Sequence, residues 1–122
     1  MGQVVGIGGV FFQAADVEAT RDWYSKVLGL EFSEWGSAMF PHPEIGMQQI
    51  ATFGEAGSFA PSTQAFMINL IVDDLDEVLA HAAAAGETPL GREDHDYGGF
   101  AWLMDPDGVK IELWQPKGPS PV

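Results

Sequence analysis

Two stretches of the chain repeat apolar side chains at three- and four-residue spacing, and both are bounded as helices are. In the first, Asp16 stands at the N-cap, Thr20, Trp23, Tyr24, Val27 and Leu28 recur behind it, and Gly29 supplies a left-handed stop. The second begins at Asp74, has Glu77 three residues on as in a capping box, carries Leu75, Val78, Leu79, Ala82 and Ala83 on one face, and ends at Gly86. Shorter apolar or alternating runs punctuated by Gly and Pro predict strands over residues 4–13, 30–35, 38–42 and 47–53, and again over 64–72, 87–92, 100–104 and 109–115. Asp105-Pro106-Asp107-Gly108 sits between the last two. Its Asp, its φ-locked Pro and its Gly occupy the positions a tight turn asks for, so these strands form a hairpin.

The order strand, helix, three strands therefore occurs twice, with helix stops roughly 57 residues apart, which reads as an internal duplication. One domain of mixed α+β class over residues 1–122 follows, with module one at about 3–54, a linker at 55–63, module two at 64–116 and a tail at 117–122. A unit with one open sheet face must cover it, so the two units are expected to pair.

Charge narrows the partners. With 18 Asp and Glu against 5 Lys and Arg, the net charge of -13 repels phosphate backbones and anionic lipid, so neither nucleic acid nor membrane is an expected partner. The chain has no Cys, hence no disulfide framework and no thiolate chemistry. Met1 to Gly9 lacks the basic start and apolar run of a secretory signal, and a cytoplasmic location is expected. Four Trp and eight Phe are a large aromatic supply for so short a chain; the core accounts for most of them, and aromatic residues also line ligand sites.

The segment Asp16 to Phe32, DVEATRDWYSKVLGLEF, resembles the D-x-x-x-x-x-x-[FW]-Y-x-x-x-L-G-[LF] helix of the vicinal oxygen chelate superfamily, which groups glyoxalase I, bleomycin-resistance proteins and extradiol dioxygenases. VDDLDEVLAHAAAAG and FAWLMDPDGVKIELWQP are similar to that superfamily's second unit and closing hairpin. The resemblance covers nearly the whole chain. It implies two βαβββ modules whose eight strands form an open half-barrel around a U-shaped cleft, completed by homodimerisation. It leaves the chemistry open, because one fold here serves lyases, isomerases, dioxygenases and drug-sequestering proteins.

Many members of that superfamily hold one divalent metal from four strand positions, which correspond here to Gly9, Gln48 or Gln49, Met67 and Glu112. Gly9 has no side chain, a thioether is a poor partner for hard cations, and one carboxylate with a neutral amide is a weak set, so no metal or other cofactor is expected there. This argues against glyoxalase I activity. Three His could contribute. His81 falls on the polar helix face, His42 lies in a loop, and His95 lies within the acidic stretch 93–97, which could fold over the cleft toward Glu112 or stand as a solvated loop.

Strand alternation divides the remaining residues by face. Phe11, Gln13, Met67, Asn69, Phe100, Trp102, Met104, Lys110, Glu112 and Trp114 are assigned to the cleft, with Gln48 or Gln49 beside them; Ile68, Leu70, Ile111 and Leu113 are assigned to the helices. Two functions remain open. One is metal-free binding of an aromatic or amphipathic small molecule. The other is a lyase, isomerase or dioxygenase-type enzyme using Glu112 as acid or base, with or without a divalent metal.

Overall fold

The computed structural model describes residues 2–117, so most of the expected tail lies outside the described residues. Helix α1 spans Val17–Leu28 and α2 spans Leu75–Ala84. Their starts are fixed as the sequence predicts: the Asp16 carboxylate accepts from the Ala19 N–H at 3.0 Å, and that of Asp74 from the Glu77 N–H at 3.1 Å. Gly29 closes α1 at φ 71°. In α2 the cap is Ala85, and Gly86, at φ 94°, turns the chain one residue later.

Four strands form one sheet in the order β1-β4-β3-β2, with β1 at Met67–Ile71, β2 at Gly91–His95, β3 at Gly98–Met104 and β4 at Lys110–Pro116. Strands β1 and β4 run parallel, while β3 is antiparallel to both of its neighbours. The β3–β4 turn is the predicted one: the Gly108 N–H donates to Asp105 O at 3.1 Å, and the Asp105 side chain accepts from the N–H groups of Asp107 and Val109. One face of the sheet buries Ile68, Ala101, Leu103, Ile111 and Leu113 against Leu75 and Ala82 of α2 and Tyr24 and Val27 of α1. This alternation sends every second residue of β1, β3 and β4 to the opposite face, where the candidate site lies.

The two halves of the chain are joined by a polar interlock. The Tyr24 hydroxyl donates to Asp105 Oδ2 at 2.7 Å and the Thr20 hydroxyl to Asp107 Oδ2 at 2.8 Å, while Asp107 Oδ1 accepts from the Ala15 N–H. Asp105 is buried and fully engaged, which ties α1 directly to the turn between the two site-bearing strands. Burial, and then the Asp105 carboxylate, push the Tyr24 phenol well above its ordinary value of 10.0.

The strands expected at residues 4–13, 30–35, 38–42 and 47–53 are not formed: among the described residues, regular strands occur only in the second half. The reason lies in the backbone. Apart from the Ser33–Ser37 turn, these segments exchange no backbone hydrogen bonds with one another, and Val4, Val5, Phe11, Trp35, Met39 and Ile50 stand 85% exposed or more. Without a surface to bury those side chains on, the alternation has nothing to drive it into a ladder. Segment 4–13 nevertheless lies beside segment 47–53, since the Ile7 N–H donates to Gln48 Oε1 at 2.8 Å, and Phe12 packs on Tyr24 and Phe66.

Candidate functional site

The face opposite the helices carries rows of side chains that the register brings level. Asn69, Glu112, Trp102 and Gly91 form one row; Ile71, Trp114, Phe100 and Glu93 form the next; Met67, Lys110 and Met104 flank them on one side and Gly98 and His95 on the other. Glu112 is held between neutral donors: Oε1 accepts from Asn69 Nδ2 and Oε2 from Trp102 Nε1, both at 2.7 Å. Both donors lie level with it, on strand β1 to one side and β3 to the other. The sequence assigned all three residues to one face, and the structure brings them into contact.

Lys110 was assigned to this face without a role. Its ammonium lies 5.6 Å from the centre of the Trp102 ring and donates to the Ala60 carbonyl at 2.9 Å, which ties the linker to the sheet. Alternation alone gave its face; the linker contact had no signal in the sequence.

Trp114 departs from the expectation of an open position. It is only 6% exposed, its ring is parallel to that of Phe100 at 6.3 Å, and its Nε1–H has no hydrogen-bond partner. Gly46 comes close to it: a Cβ added there would stand 3.1 Å from Ile71 and Pro116 atoms and 3.6 Å from the Trp114 ring.

The acidic stretch is a second correction. Strand β2 begins at Gly91, later than the predicted residue 87, and runs through His95, so residues 93–95 pair with β3 instead of looping over the sheet. His95 lies level with Gly98 and Pro116, four residues along the strand from Glu112, and bonds to Glu93 at 3.1 Å while stacking on Tyr97 at 5.0 Å. This edge strand exposes all of residues 92–95 and so lacked the apolar alternation that would have marked it.

The first-half residues do not join this face. Phe11 is 93% exposed, and Gln48 spends its amide on the Ile7 N–H and on a 3.4 Å contact with His42; Gln49 is exposed. Gln13 lines a shallow concavity with Phe12 and Val17, and a hollow of about 450 Å³ lies between Phe53, Phe59 and residues 62–65; neither includes Glu112. The Glu112 face is thus an open shelf in this structure. The four superfamily metal positions do not fit a divalent cation: Gly9 offers no donor, Gln48 or Gln49 only a neutral amide away from this face, Met67 a thioether, and Glu112 the one carboxylate, bonded to Asn69 and Trp102. Among the described residues, no three His, Asp or Glu side chains come together as a ligand set.

Comparison with known proteins agrees with the sequence motifs. The family model described as a glyoxalase-like domain matches residues 9–114. Solved structures of similar fold include a glyoxylase/bleomycin resistance protein/dioxygenase domain from Frankia sp. EAN1pec, 14% identical, with a TM-score of 0.61 over 94% of this chain and 100% of that one. A glyoxalase / bleomycin resistance protein from Catenulispora acidiphila DSM 44928 is 24% identical, with a TM-score of 0.50 over 84% and 90%. TnmS3, an antibiotic binding protein from Streptomyces sp. CB03234, is 23% identical, with a TM-score of 0.54 over 85% and 89%. No curated protein matches the sequence.

Proposed function

We propose, proceeding from the fact that this chain belongs to the glyoxalase-like domain family of the vicinal oxygen chelate superfamily, that it binds an aromatic or amphipathic small molecule on the Glu112 face without the superfamily's metal. The observation that carries this is the Asn69–Glu112–Trp102 set, a fixed carboxylate on a surface otherwise made of Met67, Ile71, Phe100 and Met104. Apolar walls with a few oriented polar groups are what small-molecule sites are built from. The fold likeness to an antibiotic binding protein supports the same reading. The acidic surface favours a neutral or cationic ligand.

The half-barrel belongs to this proposal. Segments 4–13, 30–35, 38–42 and 47–53 pair into the second sheet when a second copy of the chain covers their apolar side chains, turning the shelf into a cleft. Two contacts support this. The Ile7 N–H bonds to the Gln48 side chain, which brings segments 4–13 and 47–53 together, and Phe12 already rests on Phe66 next to the open edge of β1. The protein then works as a cytoplasmic homodimer.

The enzymatic alternative, with Glu112 as acid or base, has less support, since the superfamily's metal positions offer only one carboxylate. Replacing Glu112 with Gln tests the binding reading. With 9-aminoacridine as a planar aromatic cation, calorimetry should show affinity falling about tenfold in Glu112→Gln, as expected for a charge-assisted contact. Unchanged affinity would remove Glu112 from the site.

A further inference from the structure

We infer that the indole N–H of Trp114 is the polar anchor of a subsite for a planar aromatic molecule that carries a hydrogen-bond acceptor and no negative charge. The inference rests on the binding face proposed above and narrows the class of ligand it takes. Trp114 is 94% buried by its 6% exposure, yet its N–H is the buried side-chain donor without a partner among the described residues. An unpaired buried donor is costly, and nothing in the fold repays it. A ligand oxygen or ring nitrogen placed there would.

The surroundings are shaped for a flat ring. Phe100 lies parallel to the indole within 4°. Gly98 leaves the indole nitrogen lying over bare backbone, since a Cβ at that position would stand 2.9 Å from Nε1. Gly46 lies near the far end of the indole, where a Cβ would stand 3.6 Å from the Trp114 ring, and among the described residues no hydrogen bond joins residues 43–46 to the sheet. Glu93 and Glu112 on the same face, with the net charge of -13, disfavour an anion.

The test compares 9-fluorenone with fluorene, which match in shape and differ in the carbonyl acceptor. Calorimetry on the wild-type chain should show the ketone binding about tenfold tighter. In Trp114→Phe, which keeps a ring but removes the N–H, the two should bind alike. In the wild type, the ketone should also shift the Trp114 indole N–H resonance in a ¹⁵N spectrum, a readout that needs no variant. Equal wild-type affinities, a preference that survives in Trp114→Phe, or an unmoved resonance would overturn the inference while leaving the binding face intact. If neither compound nor 9-aminoacridine binds, the face itself falls and the inference with it.

Discussion

Tyr24 and Asp105 carry more of the fold than their place in the sequence suggests. Each belongs to a separate motif, a helix and a turn, and the bond between them spans 81 positions. Removing the hydroxyl in Tyr24→Phe leaves a buried carboxylate short of one donor, and we expect a loss of about 1–3 kcal/mol in urea unfolding. The phenol also predicts a pH dependence. Its folded-state value is raised above the ordinary 10.0, so its contribution is fully present below about pH 10 and is lost as pH climbs toward the raised value, because the unfolded state gives up the proton first. Alkaline titration at 295 nm should show one of the two tyrosines ionising only as the chain unfolds, and Tyr24→Phe should lessen the fall of stability with pH. At this scale the sequence was partly legible. Alternation found Asn69, Trp102 and Glu112, whose roles follow from which face they share. It missed that Trp114 is covered and that Gln48 is spent on Ile7, because both depend on loops that no period describes.

Elements were legible where a local rule decides them. Asp16, Asp74 and Gly29 bound the helices through their own backbone groups, and Asp105 to Gly108 closes the hairpin the same way, so distance along the chain is irrelevant. Strand β2 was misplaced because its identity comes from pairing with β3 and its side chains are exposed. The first-half strands fail for the opposite reason: their pattern is strong, but a ladder needs a covered face as well as alternation. Two glycines of the sheet, Gly91 at the start of β2 and Gly98 at the start of β3, separate packing from propensity. At Gly98 a Cβ would sit 2.9 Å from the Gln115 carbonyl and from Trp114, whereas at Gly91 the nearest atom is 3.7 Å away. Gly98→Ala should therefore cost about 1–3 kcal/mol through a forced shift of β4 against β3, and Gly91→Ala should stay within about 0.5 kcal/mol of wild type. Denaturant midpoints measured on the same day distinguish them.

For the whole molecule, two surfaces face solvent with opposite character. The acidic charge is spread over both halves, while large apolar side chains such as Val4, Phe11, Trp35 and Ile50 are exposed in the first half. Exposed apolar side chains in this number are what a second copy of the chain could cover. Light scattering should accordingly give about twice the 13.1 kDa chain mass, and Trp35→Glu should shift the protein toward monomer. The most direct measurement addresses binding without a metal. Protein dialysed against EDTA is titrated calorimetrically with 9-aminoacridine, then titrated again after one equivalent of Mn, Ni or Zn is restored. Saturable binding of equal affinity in both runs is the predicted result; binding that appears only with the ion present would contradict it.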